Sequence, residues 1–207
     1  KRAVDLPKDQ TYFLYRLSQT QLSEVLFPLG RLHKKEARRL CIEHGFFQEE
    51  KEESQDFYSG DYSDLVQTEP KLGDIVDTAG RILGHHEGIW NYTIGQRRGL
   101  GIAASRPMYV LALDAQHNRV VVGSEEETFG QALTASRVSW LSVAAINGPL
   151  EVQAKIRSTG VPKSALVAPL EDGRISVRFA EPVKAVIPGQ SVVLYDGDVV
   201  LGGGVID

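Results

Sequence analysis

The chain has 207 residues, of which 42% are hydrophobic and 24% are charged, and its formal net charge is −4. This composition is typical of a globular chain with one large or two small cores, and it argues against a broadly basic nucleic-acid-binding domain. No apolar run approaches the roughly 20 residues of a membrane span, and the single cysteine excludes internal disulfides, so we expect a cytoplasmic protein with no membrane partner.

Residues 1–65 predict a helical segment. Ser18 and Gln21 have the spacing of a capping box, in which each side chain bonds the other residue's backbone N–H. A second helix is predicted over residues 34–44, with Gly45 as its stop signal. Cys41 lies on the apolar face of this second helix, where we expect a buried, inert thiol.

Charge is unevenly distributed within this segment. The run Arg31–Arg39 reads RLHKKEARR and is basic, whereas Glu49–Asp56 reads EEKEESQD and is acidic. Solvated helix faces commonly carry such runs, so the charge pattern alone assigns no partner to either of them.

Residues 66–128 predict a small central β domain. A turn at Thr78–Gly80 separates two short strands, and Asp114–Asn118 joins two β-rich runs into a hairpin. The four predicted strands are Asp74–Val76, Arg81–Leu83, Met108–Leu113 and Arg119–Gly123.

Residues 129–207 predict a closed barrel of about six strands. The turn signals Asp172-Gly173 and Asp196-Gly197 are strong, because glycine accepts the positive φ of tight hairpins. The strands named by the pattern are Glu151–Arg157, Ala165–Leu170, Arg174–Phe179, Ser191–Tyr195 and Val199–Leu201. The predicted fold class is therefore α+β, mostly β.

A glycine-rich run at Gly84–Gly101 carries adjacent arginines, Arg97 and Arg98. Glycines let the backbone approach a bulky ligand closely, and arginine side chains present forked donors to phosphates. These features suggest a loop that contacts a polyanion such as RNA. A surface loop with solvated arginines fits the same residues.

Three shorter segments offer polar groups of the kind that contact RNA. Lys8-Asp9-Gln10 precedes the aromatic pair Tyr12-Phe13, although a helix start capped by Asp9 fits this pattern as well. Strand alternation places Lys155 and Arg157 on one face, which is also typical of a solvated strand edge. The turn Pro188-Gly189-Gln190 presents an amide side chain.

Two other chemistries are disfavoured. The run Gly99–Ala104 matches a dinucleotide-binding fingerprint, but no βαβ unit surrounds it. His85, His86 and His117 lack the cysteine or carboxylate spacing of a metal site, and we expect His86 to make a structural hydrogen bond instead.

Three of these stretches, in order, resemble the bacterial tRNA-specific 2-thiouridylases, which older descriptions call tRNA methyltransferases. The run Tyr92–Gly101, YTIGQRRGLG, resembles that family's YTIGQRKGLGI signature. Lys8–Leu14, KDQTYFL, resembles its KDQSYFL segment, and Glu181–Ile206 resembles its carboxy-terminal strands. The resemblance covers the whole chain but only the back part of the family's length.

The resemblance implies that the chain is the tRNA-binding portion of an ATP-dependent enzyme that replaces the C2 oxygen of a wobble uridine with sulfur. ATP would be bound by a preceding domain, because this chain contains no SGGxDS-type phosphate loop, and we read the chain as a fragment. The implied partners are tRNA and a sulfur-donor protein, such as a sulfur relay protein or a cysteine desulfurase. The implied tRNA contacts are Lys8, Asp9, Gln10, Arg157, Ser158 and Gln190, with Arg97 and Arg98 as further candidates, and no catalytic residue or metal ligand is assigned.

One departure from the family pattern leaves alternatives open. The family commonly has STGICFIG where this chain has Ser54–Asp61, SQDFYSGD, and the family's persulfide-carrying cysteine aligns with Tyr58. A phenol cannot form a persulfide, because that chemistry needs a thiolate. The chain can therefore also be a non-catalytic RNA-binding module or a catalytically inactive relative. A methyltransferase is disfavoured, since no methyl-donor motif is present.

Overall fold

The computed structural model describes residues 1–46 and 69–207, and these residues form two compact units. The first unit combines the N-terminal residues with Gln131–Pro182 and Val186–Asp207. The second combines residues 69–130 with Val183–Ala185. The predicted fold class is confirmed, since the chain is mostly β with a helical segment at its N-terminal end. No helix in these two described ranges is long and apolar enough to cross a membrane.

The N-terminal segment contains three short α-helices. Its predicted capping box is present, with Gln21 N donating to Ser18 Oγ at 3.2 Å and Ser18 N donating to Gln21 Oε1 at 2.9 Å. Cys41 is only half-buried, so the expectation of a buried thiol is wrong, because none of the residues of the third helix is buried. The helices are α1 Thr11–Leu14, α2 Gln19–Glu24 and α3 Lys34–Glu43, with 3₁₀ turns at Leu6–Lys8 and Pro28–Arg31.

The first unit contains a closed six-stranded barrel with the strand order β10-β5-β8-β7-β6-β9. Five of its strands were predicted, and β5 was not. In β5, Arg137 has a φ of 49°, and the strand's pairing with β10 shifts register between Gly203 and Val205, so a regular alternation is interrupted. The strands are β5 Phe129–Trp140, β6 Leu150–Lys155, β7 Lys163–Pro169, β8 Ile175–Lys184, β9 Ser191–Asp196 and β10 Val199–Ile206.

Two kinds of strand build the barrel. In β7 and the first half of β8 every second residue is buried, which leaves one face of each strand exposed. In β9, by contrast, Val192, Val193, Leu194 and Tyr195 are all buried, so both faces of this strand are covered. One face is covered by the N-terminal segment, because Tyr12 and Tyr15 share a hydrophobic cluster with Val193 and Tyr195.

The second unit is built on a four-stranded sheet with the order β2-β1-β4-β3. The pairs β1–β2 and β3–β4 are antiparallel, whereas β1 and β4 run parallel in the centre of the sheet. The β-branched residues of β1 and β4 form its core with Leu100 and Val110. The strands are β1 Gly73–Asp77, β2 Ile82–His86, β3 Tyr109–Asp114 and β4 Arg119–Gly123, with 3₁₀ turns at Ile89–Asn91 and Glu126–Thr128.

Candidate nucleic-acid interface

Tyr12 joins three segments that are far apart in the sequence. Its hydroxyl donates to the backbone carbonyl of Ser191 at 2.8 Å and also lies 3.2 Å from the carbonyl oxygen of Ile156. A phenol has one hydrogen, so these two contacts share it. Gln190 directly precedes Ser191, and Arg157 directly follows Ile156. The candidate RNA-contacting segments at residues 8–10, 157–158 and 190 therefore meet around one side chain.

Aromatic packing reinforces this junction. The hydroxyl of Tyr15 lies 3.1 Å from Ser191 Oγ. A β-carbon at Gly203 would lie 2.8 Å from the Tyr15 ring, so only glycine lets that ring approach β10 closely. Burial raises the pKa of Tyr12 above its ordinary value, and it does the same for Tyr195, so these hydroxyls stay protonated and available as donors.

The carboxylate of Asp9 is buried and makes its contacts with other residues of this chain. Its side chain is 1% exposed and accepts hydrogen bonds from Ala3 N at 3.0 Å and from Thr11 Oγ1 at 2.5 Å. Arg2 Nε lies 3.7 Å from the same carboxylate, and the Arg2 guanidinium lies 5.4 Å from the centre of the Tyr195 ring. Asp9 thus holds the turn that carries its neighbours, while Lys8 and Gln10 on either side are exposed.

The end of strand β6 differs from the prediction. The strand ends at Lys155, so Arg157 lies in the turn that follows it. Lys155 is buried, with its Nζ 5.9 Å from the centre of the Tyr12 ring, and removal from solvent lowers its pKa despite the opposing effect of Asp9. Lys155 therefore lies next to the Tyr12 ring inside the fold. Arg157, by contrast, is half-buried, and Ser158 is exposed.

The turn before β9 presents Gln190 to solvent. Gly189 has a φ of 85° and donates its N–H to the carbonyl of Ile206 at 2.8 Å, while the carbonyl of Gln190 accepts from Ile206 N at 2.8 Å. The backbone of this turn is therefore fixed against β10, and only the amide side chain of Gln190 remains at the surface.

The second unit carries the other basic segment that was predicted to contact RNA, the loop with Arg97 and Arg98. Both arginines are exposed. Gln96 shapes this loop: its Oε1 accepts from Thr93 N, and its Nε2 donates to the carbonyl of Arg98, both at 2.9 Å. Positive φ values at Gly95, Gly99 and Gly101 permit the tight turns, and the buried Leu100 anchors the loop to the core.

His86 is buried beside this loop, and its role is structural, as expected. Its Nε2 lies 3.2 Å from the backbone oxygen of Asn118, and its ring makes an edge contact with Tyr92. Across the residues that the structure describes, no group of three or more His, Cys, Asp or Glu side chains is arranged to hold a metal ion.

The main supporting residues, Tyr12 and Gln96, were not predicted. In the sequence, Tyr12 is recognisable only as part of an aromatic pair after Lys8–Gln10. Its hydrogen-bond partners are backbone carbonyls, which every residue type has, so no sequence pattern indicates them. Gln96 lies inside the signature of the basic loop, where the arginines drew attention to phosphate contacts rather than to the loop's internal bonds.

Comparison with known families defines the class of protein. Three family models match in succession: the tRNA methyl transferase HUP domain over residues 1–58, the tRNA methyl transferase PRC-barrel domain over 65–124, and the aminomethyltransferase beta-barrel domain over 130–206. The three matches follow one another along the sequence and together cover nearly the whole chain.

Curated relatives identify the family more closely. The chain is 48% identical over 207 residues to the tRNA-specific 2-thiouridylase MnmA of Endomicrobium trichonymphae. The aligned region covers 99% of this chain and 58% of the relative. It is 47% identical over 212 residues to the protein of the same name from a Nostoc species. Here the aligned region covers 100% of this chain and 60% of the relative. The chain belongs to the tRNA-specific 2-thiouridylase family, and it spans about 60% of the length of these relatives.

Proposed function

We propose that the chain is the tRNA-binding portion of an ATP-dependent enzyme that replaces the C2 oxygen of a tRNA wobble uridine with sulfur. The names of its relatives support the reaction class. The observation that carries the RNA-binding role is the Tyr12 junction, because it brings the segments that carry Lys8, Arg157 and Gln190 together around one side chain.

The residues of the junction suit different parts of an RNA. Lys8 and Arg157 offer positive charge to phosphates, with the guanidinium able to form paired hydrogen bonds. Gln10, Ser158 and Gln190 offer neutral donors and acceptors for base edges and ribose hydroxyls. Asp9 serves this interface by holding the turn between Lys8 and Gln10, since its carboxylate is buried. Arg97 and Arg98 would contribute further phosphate contacts from the second unit.

ATP and the sulfur donor are proposed to act through the rest of the protein. The described glycine-rich loop around Gly99 leads through an irregular stretch into strand β3 rather than into a helix, so it lacks the helix N-terminus that a nucleotide phosphate loop uses. These residues do not fit a triphosphate. We infer that ATP is bound outside this chain and that a sulfur relay protein or a cysteine desulfurase supplies the sulfur.

The RNA-binding role can be tested by titrating tRNA into the chain at several salt concentrations. Lys8→Ala and Arg157→Ala should each weaken binding and lower the salt slope by about 0.7 to 0.9, because each removes one phosphate contact. Arg178→Ala is the matched control, since Arg178 is exposed on β8, which is not a neighbour of β6 or β9 in the barrel. Equal affinities and slopes for all three variants would contradict the proposal.

Tyr58 favours a second candidate, a catalytically inactive relative or a non-catalytic RNA-binding module. Tyr58 lies outside the described residues. The test is the 2-thiouridine content of tRNA from cells whose complete protein carries Tyr58→Phe or Cys41→Ser. Near-normal thiolation in both strains supports an enzyme whose sulfur comes from elsewhere in the protein. Absence of thiolation even with the unaltered protein supports the inactive relative, and the isolated chain should form no 2-thiouridine in either case.

A further inference from the structure

Phe13 is an exposed aromatic residue beside the proposed tRNA interface. It is 62% exposed, although it directly follows the buried Tyr12. A single exposed apolar side chain is common on protein surfaces, so its neighbours decide what it can bind. Among the exposed phenylalanines that the structure describes, Phe13 is the one nearest in sequence to a predicted tRNA contact; the others are Phe27, Phe46 and Phe129.

The ring of Tyr12 positions the ring of Phe13. The two ring centres are 5.4 Å apart, and the ring planes are perpendicular. In this edge arrangement Tyr12 can cover at most one face of the Phe13 ring, so the other face is left for a ligand. Tyr12 is itself fixed, because its hydroxyl donates to the carbonyl of Ser191. The Phe13 ring is therefore tied to the same junction as the proposed RNA contacts.

A helical turn places Gln10 next to Phe13. The backbone N–H of Phe13 donates to the carbonyl of Gln10 at 3.0 Å, and side chains three residues apart in such a turn are neighbours. Gln10 is the N-cap of α1, but its side chain makes no capping hydrogen bond and is exposed. An exposed amide thus lies beside an exposed aromatic ring. We name Phe13 and Gln10 the stacking site.

We propose that Phe13 stacks on an unpaired base of tRNA and that the Gln10 amide bonds the polar edge of the same base. This inference rests on the proposed RNA-binding function. A base has an aromatic face and an edge of donors and acceptors, so it matches both members of the site. An apolar protein side chain would match the ring alone and give the amide no partner. A base within a duplex is stacked on its neighbours, so the site takes a base from a loop or bulge.

The test compares Phe13→Leu, which stays apolar but cannot stack, with Phe13→Trp, which can. Titrations of tRNA into the chain should show a loss of affinity of roughly fivefold or more for Phe13→Leu and none for Phe13→Trp. The salt slope should stay unchanged in both, because no phosphate contact is lost. Phe129→Leu is the matched control at another exposed phenylalanine, at the start of β5, and should bind like the unaltered chain.

The outcomes separate the two proposals. If Lys8→Ala weakens binding while Phe13→Leu behaves like Phe129→Leu, the stacking site is wrong and the proposed function stands. Binding by Phe13→Trp as weak as that of Phe13→Leu would also overturn the stacking site. If the unaltered chain does not bind tRNA, both proposals fail.

Circular dichroism detects a variant that does not fold. If Phe13→Leu is such a variant, the fluorescence of Phe13→Trp decides the matter. The unaltered chain has two tryptophans, Trp90 and Trp140. Because a stacked base quenches the added indole, tRNA should quench Phe13→Trp more strongly than the unaltered chain, and equal quenching overturns the stacking site.

Discussion

The hydroxyl of Tyr12 and the carbonyl oxygen of Ser191 lie 2.8 Å apart in space and 179 residues apart in sequence. The contact fixes the turn that presents Gln190, and the same hydroxyl reaches the carbonyl of Ile156 beside Arg157. A single buried donor thus sets the spacing of side chains that come from three separate segments. The proposed interface depends on this spacing as much as on the side chains that would contact RNA.

Tyr12→Phe should destabilise the chain by about 1 kcal/mol, because it removes the donor that two partly buried carbonyl groups share. Tyr15→Phe is the matched control and should cost less, since its partner Ser191 Oγ belongs to a half-buried residue that can bond water instead. Urea unfolding measures both effects. Under conditions where both variants are folded, Tyr12→Phe should weaken tRNA binding and Tyr15→Phe should not; equal affinities would show that Tyr12 does not position the interface.

Asp9→Asn should destabilise the chain by about 3 kcal/mol, because the buried Lys155 and the partly buried Arg2 lose the charge that opposes theirs. The pKa of Lys155 should fall further, since Asp9 is the group that raises it. Urea unfolding and NMR titration of the lysine ε-carbon provide the measurements. Glu151→Gln, at an exposed position on β6, should change stability by no more than about 0.5 kcal/mol. An Asp9→Asn chain as stable as this control would rule out the buried network.

Two variants of Gln96 separate its two hydrogen bonds. Gln96→Glu keeps the oxygen that accepts from Thr93 N but cannot donate to Arg98, whereas Gln96→Ala loses both bonds. Hydrogen exchange at the Thr93 amide should therefore stay slow in the Glu variant and become fast in the Ala variant. Slow exchange at Thr93 in Gln96→Ala would mean that this side chain does not shape the loop.

Gly203→Ala should destabilise the chain by about 1 to 3 kcal/mol. The added methyl group would press against the Tyr15 ring, 2.8 Å away, and against the carbonyl oxygen of Val192, which belongs to the backbone and cannot move aside easily. Gly148→Ala serves as the control, since a β-carbon there meets no atom within 4 Å. Similar urea midpoints for the two variants would contradict the close approach of Tyr15 to β10.

Stability should fall with rising pH above about 10 through the buried tyrosines. Burial raises the pKa of Tyr195 in the folded chain, so the unfolded chain releases this proton first and binds fewer protons above that pH. The stabilising effect is complete below the unfolded pKa and is lost as the pH passes the folded one. Urea unfolding of Tyr195→Phe between about pH 9 and pH 11 should show a smaller fall than the unaltered chain. Parallel curves would refute this assignment.

Local signals predicted much of the fold. The capping box of Ser18 and Gln21 and most of the barrel strands follow from spacing, alternation and turn residues, which act over a few positions. Strand β5 could not be recognised in this way, because the left-handed Arg137 breaks its alternation. The strand β6 was also predicted to end two residues too late, since Ile156 and Arg157 continue the alternation of apolar and polar residues beyond the point where the strand stops.

The candidate site was predicted only as separate segments. Sequence motifs drew attention to Lys8, Arg157 and Gln190, but the contacts that bring their neighbourhoods together run from Tyr12 to backbone atoms. Any residue type supplies a backbone carbonyl, so such a contact leaves no pattern to read. The burial of Asp9 escaped prediction for a related reason, because its partners include a backbone N–H and an arginine that no motif marks.

The pairing of Tyr12 with Ser191 has a consequence for synthesis on the ribosome. The partner strand β9 is translated long after the helix α1 that carries Tyr12, with strands β1 to β8 between them in the described sequence. The segment that carries Tyr12 must therefore wait until β9 has emerged before it can dock. A nascent chain that terminates before β9 has its Lys8 and Arg157 but no means of aligning them. Premature products should accordingly be poor competitors of the complete chain for tRNA.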